Sequence, residues 1–189
     1  ENPATSPRTV SITVTDVPAG LTTQADSTST RTVSVIAVND APSLGGAATD
    51  TLAYVEKSAP QAVHPALLTA DVDSATLSYA IVSISAGYRP GEDVLGAGVL
   101  SGSLSASFSG TTGRLSISGA GSLADYQAAL RSVTYANTSS NPSTNARTLS
   151  VIVADDQGTV SKLVTRSLTV TPVADAPLLD LNEIGRAHV

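Results

Sequence analysis

Asp71 and Asp73 stand two residues apart in the run Thr69-Ala70-Asp71-Val72-Asp73-Ser74. On an extended segment this spacing puts both carboxylates on one side, where they repel unless something positive sits between them. Asn39-Asp40 and Glu56 offer more hard oxygen donors, and Pro42 stiffens the chain just after the first pair. Calcium takes about six to eight oxygens from carboxylates, amide carbonyls and main-chain carbonyls, so these residue types suit it. A second reading needs no ion. Asp and Asn favour turns and strand caps, and the same residues would then be solvated turn formers.

Other chemistries find little to work with. The chain has no Cys, which excludes disulfides, thiolate metal sites and thiol nucleophiles. A histidine-based triad could use only His64, because His188 falls in a tail set aside below. His64 precedes Pro65 and reads as a partly exposed residue leading into a strand. No Gly-x-Ser-x-Gly elbow or His-Glu-x-x-His helix occurs. Glu92-Asp93 could serve glycoside hydrolysis as a carboxylate pair, but neighbours on an extended chain point in opposite directions, and after Pro90-Gly91 the pair reads as a turn. Gly96-Ala97-Gly98 and Gly119-Ala120-Gly121 lack the context of a phosphate loop and read as flexible turns. The expectation is a chain without catalytic function.

Composition narrows the partners. Ten Lys plus Arg against sixteen Asp plus Glu give a net charge of -6 over 189 residues, and no basic cluster offers a footprint for nucleic acid. No apolar run approaches the length that crosses a bilayer as a helix, so no membrane insertion is expected in this segment. Charged residues are only 14%, while Ser and Thr number 26 and 23. Hydroxyls must therefore carry much of the solubility, as on a β-rich extracellular surface.

The elements that must position these residues recur along the chain. Asn2-Pro3, Thr5, Arg8-Thr9, Ser11, Val14 and Asp16 return as Asn141-Pro142, Thr144, Arg147-Thr148, Ser150, Val153 and Asp155, an offset of 139. Arg31 and Asp40-Ala41-Pro42 return as Arg166 and Asp175-Ala176-Pro177 at an offset of 135, with four extra residues in the first copy's loop. This divides the sequence into the C-terminal part of one repeat (1–42), a complete repeat (43–177) and the start of another (178–182). With no Met and an opening of Glu1-Asn2-Pro3, the sequence is expected to be an internal fragment. Residues 183–189 can be encoded by GAG ATC GGA AGA GCA CAC GTC, a common sequencing adapter, and are set aside as an artefact. A period near 135 suits separate globular repeats rather than a solenoid.

Within the repeat, period-2 alternation dominates. Leu149, Val151 and Val153 alternate with Ser150, Ile152 and Ala154, and Leu168 and Val170 with Ser167 and Thr169. In the first copy Val10, Ile12 and Val14 predict a buried face, with Thr9, Ser11, Thr13 and Thr15 on a wet one. Further strands are expected at 51–56, 76–84, 99–108, 114–118 and 132–135, together an all-β sandwich. One short helix interrupts them at about 122–131. Ser122 reads as its N-cap with Asp125 three residues on, and Leu123, Tyr126 and Leu130 form an apolar stripe that plugs one end or side of the sandwich.

Taken together, these residues carry a family likeness. Asn39-Asp40-Ala41-Pro42, Tyr54-x-Glu56, Thr69 to Ser74 followed by Leu77-Ser78-Tyr79, and Val153-Ala154-Asp155-Asp156-Gln157-Gly158 resemble cadherin-like tandem repeats. Leu123-Ala124-Asp125-Tyr126 through Leu130 to Asn137 resembles the variant of large bacterial surface and secreted adhesins, related to chondroitin-sulphate-proteoglycan-type repeats. The likeness spans about residues 1 to 180. It implies extracellular cadherin/Ig-like β-sandwiches with weak Ca2+ sites at their joints. Asp71 and Asp73 match the pair that reaches back to the preceding joint, and Asn39 and Asp40 match the joint itself. Glu56 matches the acid that reaches forward to the next joint, near Asp175. Both joints are truncated. The joint motif is shorter than the cadherin Asp-x-Asn-Asp-Asn-x-Pro, Ala174 stands where Asn39 stands in the first copy, and an Asp-Arg-Glu motif is absent. One or two ions per joint follow from these departures, rather than three.

The resemblance makes neighbouring repeats of the same polypeptide the main partners, in a calcium-rigidified spacer of an adhesin at the cell surface or secreted. Two other classes stay open. One is a recognition module for a surface glycan or protein, for which Tyr88-Arg89-Pro90 is the best exposed candidate among few aromatics. The other is an accessory domain of a large secreted hydrolase.

Overall fold

The computed structural model describes residues 2–16, 20 and 25–176. The expected start of a further repeat at 178–182, the tail at 183–189 and His188 lie outside them. The chain divides into two compact units, Glu1–Asp40 and Ala41–Val189.

The first unit is built on one antiparallel hairpin, β1 (Arg8–Asp16) with β2 (Ala25–Val33), in unbroken register from Arg8↔Val33 to Asp16↔Ala25. Alternating Thr, Ser, Val and Ile favour the pleat, and hydroxyls pair across it: Thr13 with Thr28 at 2.8 Å, and Thr15 donating to Asp26 at 2.9 Å. The expected burial of Val10, Ile12 and Val14 is not found. They are 51%, 64% and 64% exposed, because two strands alone have no second layer to cover them.

The second unit holds the other strands. They are β3 (Ser43–Gly45), β4 (Leu52–Val55), β5 (Gln61–Ala62), β6 (Leu68–Ala70), β7 (Thr76–Ala86), β8 (Asp93–Gly96), β9 (Ser105–Ser109) and β10 (Arg114–Ser122), then β11 (Thr134–Asn137), β12 (Arg147–Asp155) and β13 (Val164–Thr171). The helix α1 (Leu123–Arg131) lies between β10 and β11. Six strands form one sheet in the order β4-β13-β12-β7-β10-β9, three form β5-β11-β8, and β3 pairs with β6. Pairing is antiparallel except between β4 and β13. The unit is thus mostly β with one short helix and several sheets.

One core joins these sheets. Leu149, Val151 and Val153 of β12, Leu168 and Val170 of β13, and Leu115 and Ile117 of β10 meet Leu95 of β8 and Tyr135 of β11 there. Tyr54 and Tyr135 pack edge to face with centroids 5.2 Å apart. On β7 the buried set runs Leu77, Ala80, Val82 and Ile84. Its phase flips after Leu77, where the pairing with β12 and with β10 also shifts. These irregularities are β-bulges, which reset which face a side chain meets. The Gly119-Ala120-Gly121 segment, expected as a turn, is the continuation of β10 past its shift. The expected strand at 99–108 pairs only from Ser105, and Val99 is fully exposed.

The helix forms where the sequence indicates. Ser122 Oγ accepts from the Asp125 N–H, and the Asp125 carboxylate accepts from the Ser122 N–H, a reciprocal capping box. Tyr126, Ala129 and Leu130 are buried against the core, and Leu123 packs at its margin. Burying a side chain such as Leu130 contributes about 2 kcal/mol. Tyr126 also donates to the Gly119 carbonyl at 2.6 Å, and burial pushes its phenol up to about 12.

Candidate functional site

Asp71 follows β6 and bends the chain around its own side chain. Its Oδ1 accepts from the N–H groups of Asp73 at 3.1 Å and Ser74 at 3.0 Å, an Asx-type turn. Asp71 Oδ2 is shut off from solvent and makes no hydrogen bond. Ser74 Oγ donates to Asp156 Oδ1 at 3.2 Å and Thr76 Oγ1 to Asp156 Oδ2 at 2.9 Å, so a third carboxylate borders the turn. The neighbouring Asp155 is fully buried and folds the β12 end, its Oδ1 accepting from the N–H groups of Gln157 and Thr159.

Glu56 and Asp175 meet through a cation from the chain itself. The Glu56 side chain is buried just beyond β4, with Oε2 accepting from the Val173 N–H at 2.8 Å and Oε1 3.4 Å from Lys57 Nζ. Lys57 also pairs with Asp175. Its ammonium is held above the usual lysine range, first by Asp175 and then by Glu56, against partial desolvation. Asn39 and Asp40 end the first unit. Among the described residues no group of three or more His, Cys, Asp or Glu side chains is gathered within reach of one metal ion.

The densest polar arrangement lies elsewhere, at Glu92-Asp93, which form the expected turn with both N–H groups donating to the Arg89 carbonyl, but which also gather partners from distant strands that the sequence does not reveal. Asp93 opens β8 and is buried. Its Oδ1 accepts from Tyr135 OH at 2.6 Å and Asn137 Nδ2 at 2.9 Å, and its Oδ2 from the Arg89 N–H at 2.9 Å and Arg147 Nε at 3.3 Å. Arg147 NH2 faces Asp93 Oδ1 at 3.1 Å and Glu92 Oε2 at 3.6 Å as ion-pair contacts rather than aligned hydrogen bonds. Its NH1 donates to the carbonyls of Ser143 at 2.5 Å and Asn145 at 2.9 Å. Adjacent acids thus serve one guanidinium, in place of the opposed directions of an extended chain. Burial and the Asp93 hydrogen bond push the Tyr135 phenol far above its ordinary value. With its lone pairs occupied by protein donors, Asp93 has the arrangement of a structural anchor rather than an acid or base.

His64 is likewise buried, not partly exposed. Its Nδ1 accepts from the Ala48 N–H at 3.2 Å, while Nε2 has no partner. Desolvation, then nearby Arg166, lowers its pKa. Arg166 is spoken for by Asp50, both carboxylate oxygens and the carbonyl, and by the Val63 carbonyl. Tyr88 packs at the core margin and donates to the Gly110 carbonyl at 2.6 Å, which leaves it only partly available to a ligand. The signal for both buried arginines is present in the sequence: Arg147 and Arg166 are the residues that recur as Arg8 and Arg31. No protein-family model matches the chain, and no curated protein matches it.

Proposed function

We propose that the chain is a non-catalytic, extracellular tandem-repeat segment of a large bacterial surface or secreted adhesin, in which cadherin/Ig-like β-sandwiches act as a calcium-rigidified spacer. One observation carries the repeat reading: β1 and β2 pair in the same register as β12 and β13, so the sequence recurrence is also a recurrence of structure. Neighbouring repeats of the same polypeptide are then its partners, and reach is what it supplies.

Calcium is supported by donor chemistry. Asn39, Asp40, Asp71 and Asp73 offer hard oxygens, and Asp71 Oδ2 is a desolvated carboxylate oxygen without a hydrogen bond. Glu56 and Asp175 are the donors toward a following repeat, where Lys57 now neutralises them. Calcium would supply charge neutralisation and stiffness, with dissociation constants of about 10⁻⁴ to 10⁻³ M for such modules. At about 100 times its dissociation constant an ion stabilises the bound state by roughly 2.7 kcal/mol.

The experiment is a melting curve of the chain in excess calcium, in chelator and in magnesium. A rise of several degrees with calcium, lost in Asp71→Asn/Asp73→Asn, is the expected outcome. Equal melting temperatures in calcium and chelator would remove calcium from the reading.

A further inference from the structure

The two copies of the hairpin share a register but not their surroundings. Arg8↔Val33, Thr9↔Thr32, Val10↔Arg31, Ser11↔Thr30 and Ile12↔Ser29 correspond, under offsets of 139 and 135, to Arg147↔Leu168, Thr148↔Ser167, Leu149↔Arg166, Ser150↔Thr165 and Val151↔Val164. β12 has a second neighbour, β7, through Leu149↔Ile84, Val151↔Val82 and Val153↔Ala80. β1 pairs with β2 alone among the described residues. Leu149, Val151 and Val153 are at most 2% exposed, whereas their counterparts Val10, Ile12 and Val14 face solvent. The arginines repeat the contrast: Arg147 and Arg166 are buried on Asp93 and Asp50, while Arg8 and Arg31 are exposed.

We propose that β1 is an acceptor edge for a segment of the repeat's own kind, equivalent to residues 43–140 and supplied ahead of the hairpin by the same polypeptide. A strand of the β7 pattern lies antiparallel along β1 and extends its sheet, and the second layer of the same segment, equivalent to β8 and β11, covers Val10, Ile12 and Val14 as Leu95 and Tyr135 meet Leu149, Val151 and Val153. An acid placed as Asp93 is placed neutralises Arg8. A second copy of this chain is a poorer occupant, since its own β7 is already held between β12 and β10. The edge also carries none of the usual protection against strand addition: from Thr9 to Thr15 it has no charge and no proline.

The proposal rests on the tandem-repeat reading but not on calcium, so its test is run in chelator. Amide hydrogen exchange is followed in the full chain, and in the same chain extended at its N-terminus by a copy of residues 43–140. Exchange across 8–16 is expected to slow at least about a hundredfold in the extended chain, as local opening becomes costly. Ile12→Lys is expected to abolish that slowing, while in the unextended chain it leaves the exchange of residues 43–171 unchanged, because Ile12 is exposed there. A synthetic peptide of residues 76–86 added to the unextended chain gives a second reading without a fusion, and selective slowing at 8–16 by either route supports the proposal. Unchanged exchange with both extension and peptide overturns it. So does a dimer of the unextended chain, seen by light scattering and dissolved by Ile12→Lys, because a second copy would then cover the edge. A calcium-insensitive melting curve alongside slowed exchange would remove the ion and leave the strand acceptor standing.

Discussion

Arg147 and Asp93 approach to 3.1 Å with both side chains sealed from solvent, tying the first residue of β12 to the first residue of β8. The pair joins the six-stranded sheet to the three-stranded one, and Tyr135 and Asn137 of β11 donate to the same carboxylate. A charge so placed is tolerable only while every partner stays.

Arg147→Met should therefore cost about 3–5 kcal/mol, since it strands a buried carboxylate. Arg147→Met combined with Asp93→Asn should cost clearly less than the sum of the single changes, because the uncompensated charge is gone. Urea unfolding of the two single variants and the double variant checks this. Additive losses would mean that the pair is not coupled.

His64 predicts a pH dependence. Its folded pKa lies below the unfolded value, so between the two the unfolded chain binds more protons and stability rises with pH. The contribution is complete above the unfolded value of about 6.5 and is lost as pH falls through it toward the lower folded value. Arg166 and Asp50 are the charges that face it, and their mutual pair leaves the desolvation of the imidazole dominant. The urea midpoint should drop between about pH 7 and pH 5, and His64→Asn should flatten that drop. A midpoint constant over this range would show that the imidazole is hydrated.

What the sequence made legible follows a simple division. Local signals are readable: Ser122 and Asp125 spell out the helix start, and alternation marks β12 and β13. Burial that depends on long-range company is not. Val10, Ile12 and Val14 carry the pattern of a core face, yet no layer covers them within their unit. Asp93 looks like a turn acid because its partners Tyr135, Asn137 and Arg147 lie about forty to fifty residues away and meet it only in the fold. For the candidate site, Asp71 and Asp73 do share a turn and Glu56 and Asp175 do share Lys57, but Asp156 enters through Ser74 and Thr76, a contact that no spacing reveals.

Ser122→Ala should cost about 1 kcal/mol by leaving an N-terminal amide of α1 without its acceptor. Asp125 should behave as the other half of the same box. Hydrogen bonds from Ser101 and then Ser122 hold its carboxyl below the usual range, so what it contributes is present above the unfolded value and fades as pH falls through the folded one. Thermal unfolding of Ser122→Ala checks the first point. Side-chain carboxyl NMR titration checks the second: Asp125 should titrate lower than in a short peptide, and closer to it in Ser101→Ala.

Gly119 should be the least replaceable residue of the β10 bend. Its φ of +122° is a conformation that L side chains rarely adopt, and a Cβ there would stand 2.5 Å from the Ser103 carbonyl oxygen. That oxygen belongs to backbone, so relief requires moving the segment itself. Moving Gly119 in turn disturbs its carbonyl, which accepts from the buried Tyr126. Gly119→Ala should cost at least about 2 kcal/mol from strain and displaced packing together. Gly102 is the control: its φ of +62° is left-handed, but nothing lies within 4 Å of an added Cβ, so Gly102→Ala should cost only about 1–2 kcal/mol. Urea midpoints of the two variants settle the comparison. Equal losses would mean that conformation alone sets the cost and that the close approach to Ser103 adds nothing.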